Sequence, residues 1–153
     1  MKKTLMLMLS GVILYACGQK SEKAADTTAP AEKPAVSEYD PQRGEGKFSN
    51  IEISAKLDAG MASSGKQIFD LKCSSCHKLT DEKLVGPGWR GVSTKHKPEW
   101  IMNFITNPDA MIDKDPQLQA QLEICLVRMP NQNLSDDDAR HILEFMRQND
   151  GVK

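Results

Sequence analysis

The segment Cys73-Ser74-Ser75-Cys76-His77 decides how this chain of 153 residues is interpreted. Two residues separate its thiols and an imidazole follows at once, which is the pattern of covalent c-type haem attachment. Each cysteine can form a thioether with a haem vinyl group, and the adjacent histidine then becomes the proximal ligand of the iron. The sequence therefore predicts one covalently bound haem c, held by Cys73, Cys76 and His77.

Two other kinds of site also use a CxxC pair, namely thioredoxin-like redox sites and zinc sites. A thioredoxin-like site needs a βαβ context, and a zinc site needs a second pair of ligands at a matching spacing. The remaining candidates Cys125, His96 and His141 provide no such pair. A thiol oxidoreductase or a structural zinc module is therefore the weaker hypothesis.

A sixth iron ligand is expected for an electron-transfer haem, and a methionine sulfur is a common choice that raises the reduction potential. Met129 is the candidate, because Pro130 and a polar run follow it in a loop that can aim its side chain. Met111, in a loop bounded by prolines, is the competing candidate. Met146 recurs with the apolar residues of a helix and is predicted to lie in the core.

Helical patterns surround these motifs. The spacing of apolar residues predicts a helix from Met61 to Leu71, and Pro98 and Asp115-Pro116 each begin a shorter one. The last helix begins after Ser135 as N-cap, carries three aspartates in its first turn and ends before Gly151.

Together these features resemble the class I c-type cytochromes over about two thirds of the chain. The resemblance is carried by Phe69 to His77, Gly86-Pro87, Gly91, Met129-Pro130 and the C-terminal helix. It implies an all-α cytochrome c fold, with several short helices wrapped around one haem. It also implies that His77 and Met129 are the axial ligands and that the Pro87 carbonyl orients the His77 ring. Gly65 would permit the first and last helices to cross closely.

Three further residues have roles that depend on their surroundings. An indole N–H can donate to a haem propionate, as in some relatives of this family, so Trp100 and Trp89 are candidates, although a packed core aromatic is the simpler interpretation. Cys125 shares a helical face with apolar residues, which predicts a buried and inert thiol. His96 and His141 are interpreted as solvent residues, which makes bis-histidine ligation a minor option.

The N-terminus has the pattern of a targeting segment. Two lysines precede an apolar run that is too short to span a membrane. Leu14 to Cys17 resembles a lipoprotein lipobox, although Tyr15 departs from the usual residue. Residues 1–17 are therefore predicted to be a lipoprotein-type signal peptide ending at the lipidated Cys17, and an ordinary secretory peptide is the alternative. Either one exports the chain to the periplasmic or cell-envelope side.

The rest of the chain divides by composition. Residues 18–46, rich in Ala, Lys, Glu and Pro, are predicted to be a flexible tether, because they have too little apolar surface to fold. Residues 47–59 are predicted to be an extended lead-in, and residues 60–150 the haem domain. We expect a monomer, and no nucleic-acid module is recognisable.

The predicted function is one-electron transfer between extracytoplasmic or membrane-bound redox proteins, without enzymatic chemistry. The alternative is a haem enzyme or gas-binding sensor with an open distal site. Residues 60–100 contain seven basic and four acidic residues, whereas residues 101–150 contain four basic and nine acidic ones. Lysines near the attachment motif are expected to steer an oppositely charged reductase, oxidase or cytochrome partner.

Overall fold

The computed structural model describes residues 39–153, which form helices joined by irregular segments. The helices are α1 (Ala59–Lys72), α2 (Val92–Lys95), α3 (Pro98–Thr106), α4 (Pro108–Ile112), α5 (Pro116–Cys125) and α6 (Asp136–Asn149). Within these residues the only β-type pairing is an isolated bridge between His77 and Lys83, so the predicted all-α fold is confirmed. In the same part of the chain no helix has the length and apolar character needed to span a membrane. The predicted signal peptide, Cys17 and most of the tether lie outside the described residues.

The crossing of α1 and α6 organises the core. Gly65 is buried in α1, and a Cβ atom there would overlap the backbone carbonyl of His141 in α6. One turn further along, the rings of Phe69 and Phe145 lie 5.6 Å apart. Glycine is therefore required at this crossing, as the resemblance implied.

Local signals set the ends of α6. Ser135 accepts from the backbone N–H of Asp138, and the Asp138 carboxylate accepts from the N–H of Ser135, which completes a capping box. At the other end the Asp150 carboxylate accepts from the N–H groups of Gly91 and Ser93 and from the Ser93 hydroxyl. Asp150 thereby ties the start of α2 to the end of α6.

An N-terminal strap, which we define as residues 39–48, lies against α3, α4 and the N-cap of α5. The Asn103 amide is fully buried and donates to the carbonyls of Arg43 and Phe48, while its oxygen accepts from the Phe48 N–H. Gly44 packs against Met111 so closely that a Cβ would overlap that side chain. The segment 39–46, which composition assigned to the tether, is therefore packed on the domain, because hydrogen bonds and the close packing of Gly44 hold it without large apolar side chains.

Candidate functional site

A cavity of about 530 Å³ lies beside the attachment motif. Its wall includes Cys73, Cys76, His77 and Met129, together with residues from α3, α5 and α6. The volume falls within the range of about 300–1,000 Å³ that is typical of ligand cavities in proteins. The fold thus brings four residues singled out from the sequence to one apolar space.

The attachment motif continues the last turn of α1. The Cys73 N–H donates to the Phe69 carbonyl, and the N–H groups of Cys76 and His77 both donate to the Cys73 carbonyl. This turn keeps the two thiols and the imidazole on the cavity wall, and neither thiol is in a disulfide. Cys73 is buried, and that burial raises the pKa of its thiol to about 11.

The His77 ring is oriented by the segment that follows the motif. Its Nδ1 atom lies 2.8 Å from the Pro87 carbonyl oxygen. A carbonyl can only accept, so Nδ1 carries the proton and Nε2 keeps its lone pair for a metal. Burial lowers the pKa of His77 despite the opposing hydrogen bond, which favours the neutral imidazole that ligates metals. Gly86 leaves room for the ring, because a Cβ there would overlap it.

The three methionines considered as ligands have different surroundings. Met129 lies in the loop after α5, where it is partly buried and lines the cavity. Met111 does not lie in a loop: it belongs to α4, is fully buried and packs against Gly44. Met146 lines the cavity from α6 but is also a buried core residue, as predicted. Met129 is therefore the loop methionine that the fold brings to the cavity.

Trp100 contributes its ring to the cavity wall, but its indole N–H is already used. It donates to the Asp115 carboxylate at 3.1 Å, and the Tyr39 hydroxyl donates to the same oxygen at 2.5 Å. Burial alone would raise the pKa of Asp115, but hydrogen bonds from Tyr39, Trp100 and two backbone N–H groups outweigh it, and the pKa is lowered. In this arrangement Trp100 is not free to donate to a propionate, contrary to the sequence-based hypothesis. Trp89 also lines the cavity.

His96 is not a solvent residue, contrary to the sequence interpretation. Its ring stacks on Trp100 with 3.8 Å between centroids, and it is part of the cavity wall. A second cavity of about 480 Å³ shares Lys95, His96 and Gln117 with the first. Burial and the neighbouring Lys95 lower the pKa of His96, while Asp115 opposes them. The lysines on both sides of His96 suggested that its ring is exposed to solvent, and the sequence gives no sign that the ring stacks on Trp100.

Cys125 also differs from the prediction. The sequence indicated a buried core thiol, whereas the structure has Cys125 only partly buried, at the cavity wall. Its sulfur accepts from the Gln121 amide at 3.2 Å. Because α5 lies along the cavity, the helical face that Cys125 shares with Leu118 and Leu122 lines that space, while Leu118 is also part of the hydrophobic core.

Comparison with known proteins identifies the family. The cytochrome c family model matches residues 62–150. The chain belongs to the cytochrome c family. A solved cytochrome c from Rhodothermus marinus is similar, with 34% identity and a TM-score of 0.66 over 69% of this chain and 90% of that one. An engineered form of that cytochrome is also similar, with 33% identity and a TM-score of 0.65 at the same coverage.

A third similar structure is the engineered Rhodothermus marinus cytochrome bound to a carbene intermediate, with 33% identity and a TM-score of 0.62. This match also covers 69% of the present chain and 90% of the engineered chain. No curated protein sequence matches this chain significantly.

As a cytochrome c, the protein is an electron carrier with a covalent haem c. The residues of the cavity fit that group. Cys73 and Cys76 present two unbridged thiols, and His77 presents a neutral imidazole with a free Nε2. The iron, when bound, supplies a one-electron couple, and the protein sets its ligands, solvent access and surrounding charge.

Proposed function

We propose that this cytochrome c relays single electrons between redox proteins of the cell envelope, with His77 and Met129 as the two axial ligands of its iron. The main observation in support of this proposal is that Met129, a loop methionine, lines the same cavity as Cys73, Cys76 and His77. A thioether is a weak, neutral ligand that raises the reduction potential relative to harder ligands. Two protein ligands leave no open position for a substrate, which suits a carrier.

The chain's own residues perform three tasks in this proposal. Pro87 holds the His77 ring in one tautomer and one orientation. The apolar wall, including Ile105 and Leu118, keeps water away from the site. The hydrogen bonds that the Asp150 carboxylate accepts from the N–H groups of Gly91 and Ser93 hold the segment after His77 in place. A site fixed in this way needs little rearrangement when its charge changes by one.

The absorption spectrum of the haem-loaded protein tests the axial ligands. We expect a low-spin ferric spectrum with a weak band at the red end, sharp α and β bands on reduction, and slow binding of carbon monoxide. These features follow from a sulfur ligand that a diatomic gas must displace. A high-spin spectrum with rapid binding of carbon monoxide would contradict the proposal and favour the enzyme or sensor with an open distal site.

Cys17 is proposed to anchor the protein to a membrane. The support is the lipobox-like pattern from Leu14 to Cys17 and the export that family membership suggests for a cytochrome c domain. Two or more acyl chains hold a protein on a membrane, whereas a single chain is marginal. Within residues 18–38 the low apolar content predicts a tether that lets the haem domain reach its partners.

We expect Cys17→Ser to move the cytochrome from the membrane fraction to the soluble fraction of the cell envelope. The substitution removes the sulfur that would carry the lipid. Fractionation, together with the mass of the mature N-terminus, measures the change. Cys125→Ser is the matched control and is expected to leave the protein on the membrane. Equal partition of both variants with the unmodified protein would contradict lipidation at Cys17.

A further inference from the structure

Asp115 is a buried carboxylate without a counter-charge. It is 1% exposed, and no basic side chain of residues 39–153 forms an ion pair with it. Glu144 is also 1% exposed, but it is paired with Arg140 and Arg147. Buried charges in proteins are normally paired, because an ionised group that leaves water without a partner is costly. The charge of Asp115 is therefore not explained by the ion pairs of the fold.

Hydrogen bonds keep Asp115 ionised. Its Oδ1 atom accepts from the backbone N–H groups of Gln117 and Leu118, which caps α5. Its Oδ2 atom accepts from Tyr39 and Trp100 and takes no part in the cap. Burial raises the pKa of Asp115, but these four hydrogen bonds outweigh that effect, and the pKa is lowered. A helix cap does not require a charge, because serine and asparagine cap as well as aspartate.

Asp115 lies one layer of side chains behind the wall of the cavity beside the attachment motif. It is not part of that wall, but three of its donors, Trp100, Gln117 and Leu118, line the cavity. The charge also acts on the wall residue His96: burial lowers the pKa of that imidazole, and Asp115 acts in the opposite direction. The electric field of the carboxylate therefore extends to the cavity whose residues fit the haem.

We infer that Asp115 is a buried charge that lowers the reduction potential of the haem, because it stabilises the oxidised iron from behind the cavity wall. The iron, when bound, gains one positive charge on oxidation, so a fixed negative charge nearby favours the oxidised state. Solvent and salt screen a buried charge much less than a surface charge. This effect opposes that of a methionine ligand, which raises the potential. It depends on the covalent haem alone and not on which residue is the sixth ligand.

Asp115→Asn tests the inference in the haem-loaded full chain. Asparagine can cap α5 but carries no charge. The oxidised state loses its electrostatic support, so the equilibrium constant for reduction by a mediator of known potential is expected to rise about tenfold, which is about 59 mV for one electron. A redox titration followed by absorption spectroscopy measures the shift. Asp115→Ser, a second neutral N-cap, is expected to give the same shift and replaces the asparagine variant if that variant does not fold.

Two controls separate the charge from packing and from net charge. Tyr39→Phe removes one hydrogen bond to Asp115 and loosens the strap but leaves the carboxylate, so the equilibrium constant is expected to stay the same or fall. Glu123→Gln removes an exposed acid of α5 and is expected to change the constant by less than twofold. The shift in Asp115→Asn is expected to persist at high salt, because a buried charge is little screened.

Four outcomes would overturn the inference. The first is an unchanged equilibrium constant in both neutral variants of Asp115. The second is an equal rise in Tyr39→Phe, because the effect would then come from the loosened strap. The third is an equal rise in Glu123→Gln, because the net charge of the protein would then be responsible. The fourth is an altered ferric spectrum in both neutral variants, because the shift would then report a change of axial ligand.

Discussion

Met129→Ala is expected to lose the weak red ferric band and to bind carbon monoxide within seconds. The alanine side chain cannot reach an iron, so the position opposite His77 opens to water and to gases. The reduction potential is expected to fall by on the order of 100 mV. Different axial ligands change the potential of a haem over a range of about 0.8 V, so a shift of this size is reasonable. Absorption spectroscopy and a redox titration of the haem-loaded variant measure these changes.

Two methionines provide controls for Met129. Met111 is buried in α4 and Met146 is buried in α6 at the cavity wall. Met111→Leu and Met146→Leu conserve volume, so each is expected to cost less than about 1.5 kcal/mol in stability and to keep the red band. If either leucine variant lost the band while Met129→Ala kept it, Met129 would not be the ligand.

Gly65→Ala is expected to destabilise the haem-loaded protein by about 3 kcal/mol or more. The new Cβ would overlap the His141 carbonyl and approach the Cβ of Phe145 to 2.9 Å. Backbone atoms of α6 cannot rotate away as a flexible side chain can, so α1 and α6 must separate. Unfolding by guanidinium chloride, followed by circular dichroism, measures the loss.

Gly60→Ala is the matched control in the same helix. A Cβ at Gly60 has only the Asp58 carboxylate oxygen nearby, at 3.3 Å. Alanine favours the helix by up to about 1 kcal/mol relative to glycine, so this variant is expected to be as stable as the unmodified protein or more so. If Gly60→Ala and Gly65→Ala had equal stabilities, the crossing would not depend on glycine.

Much of the fold was predictable because short-range signals define it. Pro98 begins α3, Asp115 caps α5 and Ser135 caps α6, and each of these acts within four residues of its own position. Part of the site was predictable for the same reason, because Cys73 to His77 form one contiguous segment of the sequence. A pattern that acts within one or two turns is visible in a single sequence.

The parts of the fold and site that the sequence did not predict depend on contacts between residues that are far apart in the chain or whose packing no local pattern specifies. His96 stacks on Trp100, and Tyr39 donates to Asp115 across 76 positions of the chain. The composition of residues 39–46 resembled that of the tether, but a hydrogen bond from Asn103 to Arg43 and one from Tyr39 to Asp115 hold this segment on the domain. Met111 was assigned to a loop because prolines bound it, whereas the five residues of α4 (Pro108–Ile112) suffice for a short helix.

The burial of Cys73 bears on the order of events during biosynthesis. Burial raises the pKa of the Cys73 thiol to about 11, so the thiolate, which is the reactive form, is scarce at neutral pH. In a chain that folds before maturation, Cys73 is therefore both hidden and protonated. This favours thioether formation on the nascent, still open polypeptide, ahead of the packing of α1 on α6. A polypeptide that folds too early would close its own maturation site.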